Sequence, residues 1–438
     1  MTDQDLTYAV IGAGPTGLAA ARNLQRRGLP WSGYEVSGDV GGLWDIDAPR
    51  STVYESAHLI SSKTTTQFTE FPMAEQVADY PSHRELKRYF ADFADAFGLR
   101  EHYSFGTEVV SARPVDGEWE VVSRGPDGER TRRHAGVLVA NGTLSEPTVP
   151  TFPGDFDGEV MHTSRYKRAE VFAGKRVLII GAGNSGCDIA VDAVHHAASV
   201  DMSVRRGYYF VPKYLFGRPS DTLNNGKPLP PRIKQAVDSR LLKMFTGDPV
   251  RFGFPKPDYR IYESHPVVNT LILHHLGHGD IRMRRDVERL DGDGVLFKDG
   301  ERGEYDLIVL ATGYRLHYPF LDPALLNWAG PGTGGSPDLY LNIFTQADPN
   351  LFVLGMVEAS GLGWQGRYEQ GQLVAAYLKA REVAPDRAAE LERRVSGPRP
   401  DLTGGYDYLG LERMSYYVNK DAYRAAVRSD IEMLEATS

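Results

Sequence analysis

The chain contains the same kind of glycine-rich turn twice, and each copy stands between an apolar strand pattern and a helix-forming stretch. GAGPTG, residues 12–17, follows Tyr8–Ile11, and GAGNSG, residues 181–186, follows Lys175–Ile180. A strand, a GxGxxG turn and a helix in this order form the sequence context of dinucleotide binding. The repeat therefore predicts an α/β fold with two Rossmann-like, three-layer dinucleotide-binding domains.

The glycines of each turn have three separate roles. The first permits a tight turn, the second lets the backbone approach a pyrophosphate, and the third lets the helix pack closely on the strand. The start of the following helix adds free N–H groups and the positive end of its dipole, which favour phosphates. The predicted cofactor-binding residues are Gly12, Gly14, Pro15, Thr16 and Gly17 in the first turn, and Gly181, Gly183, Asn184, Ser185 and Gly186 in the second.

The two units differ in the charge that follows their second strand. Glu35 lies 23 positions after Gly12, and the basic pair Arg205 and Arg206 begins 24 positions after Gly181, which suggests one geometric slot with opposite charges. A carboxylate suits a free ribose 2′-hydroxyl, whereas an arginine suits a 2′-phosphate. The first turn is therefore predicted to bind FAD and the second NADPH.

Asp201 lies on the second strand of the later unit and is the residue that could favour NADH. We assign it to an earlier position of the strand, away from the slot that meets the ribose. NADPH is accordingly the preferred nucleotide, with NADH left open.

Two dinucleotide sites in one chain narrow the chemistry, because nicotinamide gives up a hydride that flavin accepts. Cys187 is the only cysteine in the sequence. The chain therefore has no intrachain disulfide, no dithiol redox pair and no cysteine-based metal cluster. Molecular oxygen or an outside acceptor remains as the destination of the electrons.

The composition excludes several other classes of protein. At 438 residues the chain is long enough for two or three domains, and its net charge of -9 argues against nucleic acid or anionic lipid as the main partner. The acidic start MTDQDLTYAV does not resemble a signal peptide. The longest apolar runs are far shorter than the roughly 20 residues of a membrane span. These features predict a cytoplasmic protein.

The stretch FDGEVMHTSRYK, residues 156–167, has neither strand nor helix periodicity, and it resembles a family fingerprint. It matches FxGxxxHxxx(Y/F), the fingerprint of flavin-containing monooxygenases and of the related Baeyer–Villiger monooxygenases. Its Tyr-Lys ending is more similar to the former, since the latter usually carry tryptophan there. The matching positions are Phe156, Gly158, His162 and Tyr166, and GGLW (41–44), GAGNSGCDIA (181–190) and ATGY (311–314) also resemble the family.

The resemblance extends over nearly the whole chain and implies a nested architecture, with the NADPH domain inserted into the FAD domain. The implied parts are residues 1–168 (FAD domain, first part), 169–312 (NADPH domain, with an insertion at about 208–276 over the active-site mouth) and 313–438 (FAD domain, second part, and C-terminal helices). The fingerprint would be the linker, with His162 hydrogen-bonding across the joint. Further FAD contacts are implied at Gly42, Leu43, Trp44 and Gln365.

In the family, reduced flavin and oxygen form a C4a-hydroperoxide, which transfers one oxygen atom to an amine nitrogen or a sulfide. An asparagine beside the flavin hydrogen-bonds this peroxide, but Ile60 occupies that position in YESAHLISSK, residues 54–63. Ser61 or Ser62 would take over the role, or NADP+ would supply it, or the peroxide would be short-lived. The two serines are our candidate catalytic residues.

The resemblance thus implies an FAD-dependent, NADPH-consuming monooxygenase for a small-molecule substrate and O2, in a family that commonly forms dimers. The alternatives are a Baeyer–Villiger monooxygenase acting on ketones and a weakly coupled NADPH oxidase. We predict no metal site. The pair His274 and His278 lacks the glutamate of HExxH, and Gly277 is expected to interrupt a helix there. His195 and His196 are interpreted as cations near a helix C-terminus.

Overall fold

A computed structural model of the chain describes residues 6–223 and 229–436. The predictions that touch residues 1–5, residues 224–228 of the expected insertion, and residues 437–438 lie outside this part.

The strands are β1 (Tyr8–Ile11), β2 (Trp31–Tyr34), β3 (Tyr103–Ser104), β4 (Glu108–Val115), β5 (Glu118–Gly125), β6 (Gly128–His134), β7 (Gly136–Val139), β8 (Glu146–Pro147), β9 (Glu159–His162), β10 (Arg176–Ile180), β11 (Ser199–Ser203), β12 (Tyr214–Leu215), β13 (Arg218–Pro219), β14 (Ile281–Arg284), β15 (Val287–Asp291), β16 (Gly294–Phe297), β17 (Arg302–Glu304), β18 (Leu307–Leu310), β19 (Tyr314–Arg315) and β20 (Leu351–Val353). The α-helices are α1 (Pro15–Arg26), α2 (Lys63–Thr66), α3 (His83–Ala96), α4 (Asn184–Val194), α5 (Pro231–Thr246), α6 (Leu271–His278), α7 (Gly363–Val383), α8 (Pro385–Ser396) and α9 (Lys420–Glu435).

The first parallel sheet has the strand order β20-β7-β1-β2-β3. Alternate residues of β1 point to opposite faces, as the period of a strand requires. Val10 packs with α1 and α7, while Ala9 and Ile11 pack against the antiparallel meander β4-β5-β6. Helices, parallel sheet and meander form three layers, and both faces of β1 are buried.

The second parallel sheet has the order β14-β11-β10-β18-β9 and repeats this layering. Val177 and Ile179 of β10 pack against α4 and α6. Leu178 and Ile180 face the antiparallel sheet β15-β16-β17. Strands buried on both faces must be apolar throughout, which is why RVLII carries no polar alternation. The predicted fold of two Rossmann-like, three-layer units is confirmed.

The chain that forms the second sheet lies between two contributions to the first. Strands of the first sheet come from residues 8–139 and again from 351–353, whereas those of the second come from 159–310. This order supports the nested arrangement, and the domain boundaries themselves stay a proposal.

Two local predictions are wrong. The fingerprint was expected to contain no strand, but Glu159–His162 is the edge strand β9, paired in parallel with β18. Its first two residues are exposed and the next two buried, so its burial does not alternate. Gly277 was expected to interrupt a helix, yet α6 continues to His278 and ends at Gly279, which adopts φ +83°. A single helical glycine costs only about 1 kcal/mol.

None of the helices in residues 6–223 and 229–436 is both long enough and apolar enough to cross a membrane.

Candidate active site

The first glycine of each turn lies against the end of a neighbouring strand. Gly12 and Gly181 have φ angles of +109° and +108°, which L-residues with a side chain rarely adopt. A Cβ on Gly12 would lie 2.5 Å from the Ala140 carbonyl oxygen, and one on Gly181 would lie 2.4 Å from that of Ala311. Both turns therefore require glycine for backbone conformation and for space.

The two alanines, which follow β7 and β18, were not predicted as parts of the site. Each ends an apolar run and precedes a second glycine, in VLVANG (137–142) and LIVLATG (307–313). This second repeat is the sequence signal that would have found them.

The third glycine of each turn brings the helix against the turn. A Cβ on Gly17 would lie 1.8 Å from the Gly12 carbonyl oxygen, and one on Gly186 would lie 2.2 Å from that of Gly181. Real Cβ atoms do not approach so closely, so a side chain at either position would push the helix away from its strand. This agrees with the role expected of the third glycine, which is to let the helix pack closely on the strand.

The second glycine of each turn faces open space. A Cβ on Gly183 would meet nothing within 4 Å, and one on Gly14 would meet only Gly42, whose Cα would be 3.6 Å away. Gly14 and Gly183 are also the N-cap residues of α1 and α4, and neither helix start receives a side-chain cap. Exposed N–H groups, a positive helix end and a concave backbone fit a pyrophosphate.

The GGLW segment lies beside the first turn. The Gly41 N–H donates to the Ala13 carbonyl at 3.0 Å, and Gly42, Leu43 and Trp44 form a short 3₁₀ helix. The Trp44 ring meets Trp364 edge-on, with centroids 6.0 Å apart. These positions suit the FAD contacts expected for residues 42–44, which stay a prediction.

Glu35 follows β2 directly, and its carboxylate reaches the first turn. One oxygen accepts the Ala13 N–H at 2.6 Å and the other the Ser37 N–H at 2.8 Å, and the side chain is buried. Each carboxylate oxygen has a further lone pair, so the group is held in place while it can still accept a ribose hydroxyl.

The strand register corrects the proposed match between Glu35 and Arg205 by one residue. Ile11 pairs with Tyr34 in the first unit, and Ile180 pairs with Ser203 in the second. The position equivalent to Glu35 is therefore Val204, and Arg205 comes one residue later. Arg205 is exposed and Arg206 half-buried, and neither forms an ion pair or hydrogen bond with the described residues.

The Asp201 side chain forms hydrogen bonds on the face of the second sheet that packs against β15-β16-β17. Its carboxylate accepts hydrogen bonds from Arg284 Nε at 2.6 Å and from the Tyr305 hydroxyl at 2.7 Å, and all three groups lie in the interior. The charge of Asp201 is thus balanced within the protein, as a buried carboxylate requires. This agrees with its assignment to an earlier strand position.

His162 of the fingerprint forms a hydrogen bond to the segment that follows β18, the strand next to β9 in the second sheet, and its expected bond across the domain joint stays a prediction. The Ser164 N–H donates to its Nδ1 at 3.0 Å, so the proton is on Nε2, which donates to the Gly313 carbonyl at 3.1 Å. Burial lowers the pKa of this ring below its usual value, against the raising effect of the Gly313 carbonyl. A neutral histidine with both nitrogens engaged is suited to holding β9 to the ATGY segment.

The end of the fingerprint ties the segment around Tyr54 to α4. The Tyr166 hydroxyl donates to Asp192 at 2.8 Å, and the Tyr54 hydroxyl donates to Asp188 at 2.9 Å. The Lys167 ammonium donates to the Ser51 carbonyl at 2.8 Å. We had not predicted these contacts, although Asp188 and Asp192 stand four residues apart on one helix face, which is a detectable signal.

Ser61 and Ser62 lie at the start of α2. The Ser61 hydroxyl is 2.7 Å from that of Thr66, and the Ser62 hydroxyl donates to that of Thr65 at 3.1 Å. Ser62 is buried and its N–H donates to Asp221 at 2.7 Å, whereas Ser61 is half-buried. Of the two, Ser61 has the more accessible hydroxyl.

The start of α7 packs against α2. A Cβ on Gly363 would lie 2.4 Å from the Thr65 carbonyl oxygen, and the Gln365 side chain accepts the Thr69 N–H at 2.8 Å. The structure thus brings the candidate serines and the expected flavin-facing segment into one region, although about 300 residues separate them in the sequence.

The two sheets with their glycine turns define a protein that binds two dinucleotides in one chain. The profile of the family described as "Flavin-binding monooxygenase-like" matches residues 6–394. The chain belongs to this family.

Its relatives include flavin-containing monooxygenase 5 of Oryctolagus cuniculus, with 30% identity over 81% of this chain and 69% of the relative. Dimethylaniline monooxygenase [N-oxide-forming] 2 of the same species is 32% identical over 73% of this chain and 63% of the relative. Among solved structures, ε-caprolactone-bound cyclohexanone monooxygenase superimposes with a TM-score of 0.71 at 20% identity, covering 97% of each chain.

Membership in the family makes the chain an NADPH-dependent flavin monooxygenase, with FAD and NADPH as its cofactors. The open second glycines and free helix starts of both turns fit these two groups.

Proposed function

We propose that this enzyme inserts one oxygen atom of O2 into a soft nucleophile, an amine nitrogen or a sulfide sulfur, of a small organic substrate. The observation that carries the proposal is the pair of open glycine turns in a chain without a dithiol. The N-oxide-forming relative supports nitrogen as an acceptor. When bound, FAD would accept the hydride of NADPH and pass the electrons on to O2, which supplies the oxygen atom.

The chain's own residues would bind and orient the two cofactors. Gly14 and Gly42 leave room for the FAD pyrophosphate, and Glu35 would accept its ribose hydroxyls. Gly183 leaves room for the NADPH pyrophosphate, and Arg205 with Arg206 would bind the 2′-phosphate. The glycine roles rest on the space at Gly14 and Gly183, and the role of Glu35 rests on the lone pairs that its two backbone hydrogen bonds leave free. Those of Arg205 and Arg206 rest on side chains that form no hydrogen bond or ion pair with the described residues.

The region between α2 and α7 would exclude water and support the oxygen transfer. Ile60 has no polar group, so a hydrogen bond at this place has to come from a neighbour. We assign it to Ser61, because the Ser62 side chain is buried at the start of α2. Thr66, the partner of Ser61, would hold the orientation of that hydroxyl.

The test is product analysis with an alkyl aryl thioether, a tertiary amine and a cyclic ketone, each at equal NADPH consumption. We expect a sulfoxide or an N-oxide in amounts that approach the NADPH consumed. A lactone or ester from the ketone, without sulfoxide or N-oxide, would overturn the proposal in favour of Baeyer–Villiger chemistry.

Ile60 favours a second candidate, a weakly coupled NADPH oxidase, because the expected hydrogen-bond donor is missing there. This function predicts hydrogen peroxide equal to the NADPH consumed with all three compounds. Ile60→Asn distinguishes the two: in a weakly coupled oxidase the variant should form less peroxide per NADPH than the wild type. Ser61→Ala should raise the peroxide yield only if the wild type is coupled, because peroxide cannot exceed the NADPH consumed.

A further inference from the structure

Two histidine pairs that are far apart in the sequence lie side by side in the fold. α4 ends at Val194 with His195 as its C-cap, and α6 carries His275 and ends at His278. The rings of His195 and His275 meet edge-on, with centroids 5.6 Å apart. The carboxyl ends of two helices thus converge at one place on the surface.

The end of α6 brings a carboxylate into this group. Gly279 turns the chain in the left-handed region, and the Asp280 N–H donates back to the His275 carbonyl at 2.9 Å. One Asp280 oxygen then lies 2.9 Å from His275 Nδ1 and 3.7 Å from His278 Nδ1. Within the described residues, Asp280 forms ion pairs with these two histidines and with no other cation.

The distances suit a small divalent cation. The three ligand atoms of His275, His278 and Asp280 lie within 4.8 Å of one another. Zinc binds imidazole nitrogen and carboxylate oxygen at about 2.0–2.2 Å in a tetrahedron, which places neighbouring ligand atoms about 3.3 Å apart. The two measured nitrogen–oxygen distances lie on either side of that value. Small rotations of partly exposed side chains would complete the geometry.

The surroundings also favour a cation. The carboxyl end of a helix carries partial negative charge, and two such ends, those of α4 and α6, converge here. Asp280 adds a full negative charge, and β14 begins immediately after it, at Ile281. An ion at this place would tie α6 to the sheet edge formed by β14.

We propose that His275, His278 and Asp280 form a zinc-binding site, with the fourth position taken by solvent and His195 packed against His275. The site is separate from the cofactor sites, because the 11 residues of α4 place its carboxyl end about 16 Å from the glycine turn. The histidine ligands are thus His275 and His278, and this proposal departs from the sequence prediction of no metal site, which considered only the i, i+4 pair His274 and His278 on this helix.

Isothermal titration of the FAD-loaded, chelator-treated enzyme with zinc sulfate at pH 7.5 tests the site. We expect one zinc ion per chain, and at least a tenfold loss of affinity in His278→Ala and in Asp280→Asn. His274→Ala and His196→Ala are matched controls, because each removes an exposed histidine next to a site residue. Both controls should bind zinc as the wild type does.

Three results would overturn the site: no heat of binding in the wild type, unchanged affinity in both site variants, or an equal loss in the two controls. Circular dichroism and flavin content of each variant show that it is folded. The exposed fraction of the His278 side chain, 69%, makes its substitution tolerable to the fold.

Discussion

Arg205 is the residue at which the nucleotide preference can be tested most directly. It stands just after β11, beside the second glycine turn, and has no ion pair or hydrogen bond with the described part of the chain. Its charge is therefore available to a ligand. The register places Val204, which has no charge, in the position of Glu35, so the second unit has no carboxylate that would repel a 2′-phosphate there.

We expect Arg205→Ala to raise the KM for NADPH roughly ten- to a hundredfold, because a charge-assisted phosphate contact contributes about 1.5–3 kcal/mol. The KM for NADH should change little. Steady-state oxidation of both nucleotides measures this, with Arg218→Ala, an exposed arginine of β13, as the control. Equal effects on the two nucleotides would show that Arg205 does not contact the 2′-phosphate.

Asp201 should affect stability rather than nucleotide preference. Asp201→Ala would leave the buried Arg284 with the more exposed Glu301 as its remaining ion-pair partner, and removing one member of a buried pair typically costs about 3–5 kcal/mol. We expect a lower midpoint of thermal unfolding, with an unchanged ratio of the KM values for NADPH and NADH. A shift of that ratio in the folded variant would place Asp201 in the nucleotide site instead.

At the scale of elements, the second glycine turn offers two substitutions with opposite expected effects. A Cβ on Gly183 meets nothing within 4 Å, whereas one on Gly186 would lie 2.2 Å from a backbone oxygen. We expect Gly183→Ala to keep the stability of the wild type but weaken NADPH binding, because the methyl group occupies the space of the pyrophosphate. Gly186→Ala should destabilise the unit by displacing α4.

Thermal unfolding and NADPH titration of the two variants, both loaded with FAD, check this expectation. Gly335→Ala is the control, because a Cβ at this glycine meets nothing within 4 Å and the position lies outside both turns. If Gly183→Ala bound NADPH as tightly as the wild type, the pyrophosphate would not lie at this glycine.

The elements around the turns also show where local sequence patterns succeed. β1 has the predicted bounds and β10 begins one residue later than predicted, since both are apolar runs ended by glycine. β9 was missed because its pairing with β18 joins residues about 150 positions apart, and its own residues show no period. α6 continues through Gly277 because the helix-forming residues before it outweigh the cost of one glycine.

At the scale of the whole molecule, buried histidines make the fold sensitive to acid. His134 connects the meander to the first sheet: its Nε2 lies 2.9 Å from the Tyr34 hydroxyl oxygen, and its Nδ1 lies 3.0 Å from the Thr7 hydroxyl oxygen. Burial lowers the pKa of His134 to about 4, with a smaller lowering effect of Arg132 and an opposing one of the Thr7 carbonyl.

Because the pKa is lower in the folded state, the unfolded chain binds the proton first as the pH falls. The contribution of His134 to the free energy of unfolding is therefore complete above about pH 6.5 and is lost as the pH falls to about 4. The loss over this range is roughly 3 kcal/mol. We expect the midpoint of thermal unfolding to fall over this range.

His134→Gln keeps a polar side chain but removes the titration, so its unfolding midpoint should depend less on pH between 6.5 and 4. His102→Gln, which changes an exposed histidine just before β3, is the control and should follow the wild type. An identical pH dependence of His134→Gln and the wild type would mean that other groups cause the loss of stability.

The sequence by itself determined the two cofactor turns, the strands and helices beside them, and the family. These features depend on residues within a few positions of one another, because a tight glycine turn and an apolar strand are local in the chain. Only the tertiary structure decided that β9 is a strand, that Arg205 lies one residue beyond the position of Glu35, that Asp201 is bound by Arg284, and that His275 meets Asp280 and His195. Each of these depends on strand pairing, on the course of the chain after a helix, or on helix packing, and no local pattern records which of those contacts a side chain will find.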